Sequence, residues 1–247
     1  MKITAALLKK VCSTAQVDLE ATANYINEYF PKFGIGNNRE VRYWLAQCFE
    51  ETDGLKTYEE YASGEKYEGR ADLGNTSPGD GKRFKGRGMI QTTGKANYTR
   101  LYRWLVTNNS WPYTYTLMDK PEVLETPKYA VLSACFYYMD HVWSGQHIRA
   151  VIASGNFENL TKAVNGGLNG HQARLDYLGK LNTLIGKESI EWPPYVVVTP
   201  ASNPQPVPIQ TVPPLKSGDT FPPAKATVTG FVPELMALVK KYFGEKK

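Results

Sequence analysis

The chain has 247 residues, 42% of them hydrophobic and 21% charged, with a formal net charge of +5. That composition suits a globular protein with a sizeable core, is too mildly basic to argue for nucleic acid, and offers no apolar run near the roughly eighteen residues a membrane span needs. Cys12, Cys48 and Cys135 lie far apart in apolar helical contexts, which fits neither a disulfide framework nor a metal cluster and points to a reducing compartment.

The N-terminal "MKITAALLKKVCSTAQ" has a short apolar patch interrupted by Lys9-Lys10. It lacks the apolar core of a secretory signal, so synthesis in the cytoplasm without export is the expectation. "TAALLKKV" and "DLEATANYINEYF" carry apolar residues at helical spacing, with Asp18 as N-cap and Pro31 as stop. "NREVRYWLAQCFEET" puts Val41, Leu45, Cys48 and Thr52 on one stripe, flanked by Trp44 and Phe49. Residues 64–94, "GEKYEGRADLGNTSPGDGKRFKGRGMIQTTG", form a long polar, Gly-rich loop of the kind that carries function on a helical scaffold.

"TPKYAVLSACFYYMDHVW" and "HIRAVIASG" then read as apolar helices. "NFENLTKAVNGG" has Asn156 as N-cap and Gly166 as its stop, and "HQARLDYLGKLNTLIG" closes the series. No βαβ alternation and no internal repeat is visible. The expected fold class is mainly α across residues 1–190. Composition then shifts, because eleven of the sixteen prolines fall between Pro193 and Pro233. Residues 191–232 read as a Pro-rich linker or strap. Residues 233–247 read as an amphipathic helix with Leu235, Met236, Val239, Tyr242 and Phe243 on one side. That helix packs back on the domain or docks a partner; a membrane-surface role suits it least.

Several chemistries drop out. "GDGKRFKGRG" lacks the spacing of a phosphate loop, no G-x-S-x-G occurs, and His141, His147 and His171 make no H-E-x-x-H pattern. Asp140-His141 reads as structural, and Cys48 on its apolar stripe as a buried thiol. The carboxylates remain. Glu50, Glu51, Asp53, Glu59 and Glu60 fall within eleven positions. Glycoside hydrolysis needs one carboxyl kept protonated and another kept ionised. Glu51 ends a helix with an apolar face, where partial burial raises a carboxyl pKa. Glu60, nine residues on, would face the other way and lie about 13 Å along an unbroken helix. A break at Asp53-Gly54 lets the chain fold back so that both line one cleft. Charged residues near a helix end are more often simply solvated, and Glu59 is read that way.

"AQCFEETDGL", "YEEYASGEKYEGRADLGNTSPGDGKRFKGRGMIQTTGKANY" and "AVNGGLNGHQARLDYL", in that order, closely resemble the family-19 glycoside hydrolases. This family holds plant-type chitinases and the lysozyme-like endolysins of bacteriophages, and the likeness covers roughly residues 1–186. It implies a lysozyme-like helical domain with a catalytic cleft. By its motifs Glu51 is the acid, Glu60 the base and Thr93 the hydroxyl that positions water. Gln91, Asn97, Asn165 and Arg174 become substrate-binding or charge-tuning groups. No cofactor or metal is implied.

Two positions depart from the family pattern. Glu50 stands where the family has His, and Glu68 is a further carboxylate near the loop. Glu68 either pairs with Arg70 or Arg87 or replaces Glu60 as base. The resemblance implies inverting hydrolysis of β-1,4 bonds between amino sugars, with peptidoglycan preferred over chitin. The expected setting is a lysin that reaches the wall after release or as part of a virion, docked to protein partners through residues 191–247. A catalytically silent wall-binding or virion structural module is the contrasting expectation.

Overall fold

The computed structural model describes residues 2–185. Both the strap and the amphipathic helix expected beyond residue 190 lie outside them. The described elements run α1 (Ala5–Val11), α2 (Leu19–Lys32), α3 (Asn38–Glu51), α4 (Asp80–Arg83), α5 (Lys95–Thr107), α6 (Pro127–Asp140), β1 (Val142–Trp143), β2 (Gln146–His147), α7 (Ile148–Ala153), α8 (Phe157–Asn165) and α9 (His171–Ile185). Short 3₁₀ turns at Glu65–Tyr67, Ala71–Leu73 and Pro121–Glu125 punctuate the loops. The expected mainly α class is what the described residues show.

α3 is the central helix. Everything from Val41 to Phe49 except Arg42 and Tyr43 is buried, and α9 packs along it. Its start is set by a capping box: the Asn37 side chain accepts from the Glu40 amide (2.9 Å) while the Glu40 carboxylate accepts from the Asn37 amide (3.3 Å). Two of the orphan donors that open a helix are thereby satisfied. The stripe of Val41, Leu45, Cys48 and Thr52 is fully buried, as its spacing predicts. Burial pushes the Cys48 thiol well above its ordinary pKa, in keeping with an unreactive core cysteine.

α6 divides the hydrophobic interior. Ala130, Val131, Ala134 and Cys135 face the larger core built on α1, α2, α3, α8 and α9. Tyr129 and Leu132 face a second core with Phe84, Tyr98, Leu101, Leu105 and Leu124. A helix apolar on all sides is what burial between two cores requires.

Asp18 caps α2 by accepting from the Ala21 amide, and Asn156 caps α8 by accepting from Asn159 (both 2.9 Å). Gly166 ends α8 in the left-handed conformation (φ 74°). Pro31 does not end α2 where the sequence suggests: the helix runs one residue further, to Lys32. The missing Pro31 amide falls within the last turn, so the helix closes just after it. "HVW" is not helical either. α6 stops at Asp140, and Val142–Trp143 pairs with Gln146–His147 across Ser144-Gly145 (φ 49° and 76°), the positive-φ pair that a tight hairpin needs.

Candidate active site

The end of α3 is reversed by a tight turn. Thr52 Oγ1 donates to the Cys48 carbonyl (2.8 Å) and accepts from the Leu55 amide (3.1 Å), and the Gly54 amide donates to the Phe49 carbonyl (2.7 Å). Asp53, Gly54 and Leu55 are all left-handed, at φ 47°, 69° and 61°. Glycine suits position 54 best: a Cβ there would lie 2.7 Å from the Tyr177 hydroxyl oxygen, at a φ that L residues rarely adopt. The turn sends residues 56–61 back, so that Glu51 and Glu60 line one cleft of about 850 Å³.

Small backbone bridges hold the base segment. Glu59 pairs with Arg87, and Arg87 with Thr92; the Glu60 amide donates to the Gly86 carbonyl (2.9 Å). The segments carrying Glu60, Gly86 and Thr93 therefore lie side by side. Gly86 is the floor on which three polar groups converge. A Cβ there would lie 2.7 Å from Gln91 Oε1, 3.2 Å from Glu60 Oε2 and 3.3 Å from Thr93 Oγ1. Gly86→Ala is therefore expected to keep the fold while displacing the Gln91 amide and filling the space between Glu60 and Thr93. The measurement is kcat on an amino-sugar oligomer alongside Tm: turnover falls at least tenfold and Tm barely moves.

The two carboxylates have unlike surroundings. Glu51 is largely buried. Burial pushes its pKa up, and the charge and hydrogen bond of Arg174 (Nη2 to Oε1, 2.6 Å) only partly offset this, leaving it above the ordinary carboxylate value. Burial also pushes Glu60 upward, but Lys66 (2.8 Å), the Gly86 amide (3.1 Å) and the Tyr67 hydroxyl (3.1 Å) all act on its carboxylate and leave it below the ordinary value. The surroundings therefore push the two carboxyl pKa values apart, Glu51 upward and Glu60 downward.

Arg174, in the first turn of α9, is buried and donates through Nη1 to the Gln47 carbonyl (3.2 Å) and to Gln47 Oε1 (3.0 Å). Gln47, fully buried one helical turn before Glu51, is a positioning residue that the sequence reading missed. Its place on the face of Glu51, four residues away, was the available signal.

The other expected residues also reach the cleft. Thr93 Oγ1 donates to the Gln91 carbonyl (2.8 Å), and Asn97 Nδ2 donates to the Thr93 carbonyl (2.8 Å). Gln91, left-handed at φ 53°, donates its side-chain amide to the Gly88 carbonyl (3.1 Å). Asn165 enters from the end of α8 and donates to the Asn169 carbonyl (3.2 Å). Glu50 lines the cleft too, with its carboxylate against Gly170 in the α8–α9 loop. Its pKa is raised by burial, opposed by Arg174, and raised further by Glu51 and Asp53.

Two expectations need correction. Glu59 is not merely solvated: Lys85 (2.9 Å) and Arg87 (3.5 Å) pair with it, because the bridge to Arg87 brings basic side chains alongside. Glu68 pairs with neither Arg70 nor Arg87 and is not in the cleft lining. Its two oxygens accept from the Gly79 amide (2.6 Å) and the Gly81 amide (2.7 Å), which makes it a clamp on the start of α4. Arg70 pairs with Asp72 instead, and Arg87 with Glu125 and Glu59. Asp140 pairs with Arg100, and His141 stacks on Tyr137 (4.3 Å between centroids) at the cleft wall.

No family model matches the chain. It is 26% identical over 180 residues to a Haemophilus influenzae protein described as "Glycosyl hydrolase family 19 domain-containing protein", a match covering 60% of this chain and 82% of that one. Chitinase C from Streptomyces griseus HUT6037 superposes with a TM-score of 0.57 at 18% identity, over 76% of this chain and 78% of the other. A class IV family-19 chitinase from Zea mays gives 0.56 at 18% identity, over 74% and 92%. The solved structures establish the fold, and the resemblance to family 19 read from the motifs stands. Fold, sequence likeness and a cleft lined by two unlike carboxylates together mark the chain as a glycoside hydrolase similar to those of family 19.

Proposed function

We propose that the chain hydrolyses β-1,4 bonds between amino sugars by an inverting mechanism, with bacterial peptidoglycan as substrate, as a muramidase-type endolysin. The observation that carries the reading is the opposed setting of Glu51 and Glu60 within one cleft. Glu51, whose pKa burial raises, donates to the glycosidic oxygen. Glu60, held ionised, takes a proton from water as that water attacks the anomeric carbon from the other face of the ring; inversion leaves about 6.5–9.5 Å between such carboxyl groups for the water. Thr93, beside Glu60 over Gly86, orients the water. Arg174 keeps Glu51 in place and limits how far its pKa rises. Gln91, Asn97 and Asn165 present amides to the sugar substituents.

The preference for peptidoglycan rests on the wording of "LGNTSPGDGKRFKGRG", which resembles the phage and bacterial branch, and on the lack of cysteine pairs. It places the enzyme at the cell wall, after release from the host cytoplasm or as part of a virion, with residues 191–247 as the attachment to protein partners. Chitin is the second reading, favoured by the chitinases among the structural neighbours. Reducing-end assays on purified peptidoglycan and on chitin oligomers separate the two. Sugar release from peptidoglycan by the wild type, absent in Glu51→Gln, supports the lysin; release from chitin oligomers alone overturns it. Lysis that survives loss of both carboxylates overturns the catalytic assignment.

A further inference from the structure

We propose that the ring of Tyr61 is a stacking platform for a pyranose of the glycan strand, at the mouth of the cleft. The proposal rests on the reading above that the cleft binds an amino-sugar polymer. Among the described residues, five large apolar side chains are markedly exposed, and Tyr61 is the most exposed of them at 73%. Tyr113, Val106, Val142 and Leu168 lie elsewhere; Tyr61 alone of the five lines the cleft. An aromatic face left open to water at the rim of a polar cleft is an unspent apolar surface, and the flat C–H face of a pyranose is its natural complement.

The ring is also held in place. Its hydroxyl donates to Asp53 Oδ2 (3.1 Å), and the Lys56 ammonium pairs with the same oxygen (2.9 Å). A hydrogen bond to an ionised acceptor is among the stronger ones, so the tip is tethered while the face stays free. Pre-setting a side chain in this way lowers the ordering penalty on binding. The tether also has a particular location. Asp53 is two residues beyond Glu51, and Tyr61 is the residue after Glu60. The bond therefore joins the segment carrying the acid to the segment carrying the base, and the ring lines the same cleft as both.

The test uses the full chain with Glu51→Gln as a non-hydrolysing background. Binding is titrated with an N-acetylglucosamine hexamer and with glycan strands stripped of their peptides. Adding Tyr61→Ala is expected to raise Kd about tenfold, and adding Tyr61→Phe, which keeps the ring and drops only the tether, to raise it no more than about threefold. In the active enzyme Tyr61→Ala raises KM on long oligomers and leaves kcat within twofold. Unchanged Kd and KM in Tyr61→Ala, with hydrolysis intact, overturn the platform alone. An equal loss in Tyr61→Phe and Tyr61→Ala also overturns it, because the Asp53 tether would then be the sole contribution. A wild type that neither binds nor cleaves either glycan overturns the parent reading together with it.

Discussion

Glu51→Gln is expected to lower kcat by about 10²–10⁴-fold, the range that a positioned general acid contributes, while the circular dichroism spectrum and Tm stay near wild type. The fold survives because the glutamine oxygen still accepts from Arg174, whose other bonds, to the Gln47 carbonyl and side chain, are untouched. What is lost is the proton. An amide in that place has none to give to the leaving oxygen. The substitution therefore separates chemistry from architecture: substrate affinity persists and turnover collapses. Retention of more than a tenth of wild-type kcat would remove Glu51 from the role of acid.

Glu60→Gln has an expected loss of similar size, and its surroundings add a pH signature. Catalysis by this pair needs Glu60 ionised and Glu51 protonated, so kcat/KM follows a bell. Its acidic limb reports Glu60, below the ordinary carboxylate value, and its basic limb reports Glu51, above it. Lys66→Met removes a cation 2.8 Å from Glu60. With that support gone the Glu60 pKa rises, the ionised base is lost at a higher pH, and the acidic limb moves upward. Lys66 touches Glu60 and not Glu51, so the basic limb stays where it was. A pH–rate profile of wild type and Lys66→Met decides it. Movement of the basic limb instead would exchange the roles of the two carboxylates.

The sequence revealed the helical scaffold well because its signals are local. Apolar spacing located α3, side-chain caps located the starts of α2 and α8, and Gly166 located an end. It also exposed the acid and base candidates, since the Asp53-Gly54 break shows in the residue types themselves. Other features depend on parts of the chain meeting across distance. Glu68 reads as a free carboxylate until the Gly79 and Gly81 amides fold onto it. Glu59 reads as solvated until the Arg87 bridge sets basic groups beside it. Gln47 looks like any helical residue until α9, more than a hundred positions away, brings Arg174 against it. Lys66 and Tyr67 sit in a loop with no periodicity, so nothing local marks them as the groups that hold Glu60 ionised.

The left-handed residues have a consequence for how this protein could be altered. Of the non-glycine positions with positive φ among the described residues, Asp53 and Gln91 line the cleft and Leu55 completes the turn beneath it, whereas Asn109 and Ser144 lie in turns elsewhere. Such a residue carries up to roughly 1–2 kcal/mol of conformational strain relative to glycine, more for Leu55 than for Asp53 or Asn109. The strained backbone is therefore concentrated where the reacting groups are aimed, and stability and activity are set against one another at those same few positions. A search for heat-resistant variants would drift toward glycine at position 53. That drift would relax the turn and remove the carboxylate that tethers Tyr61. Thermal tolerance gained there would come with a looser turn and an untethered Tyr61, and durable stabilisation would have to be sought in the two cores on either side of α6.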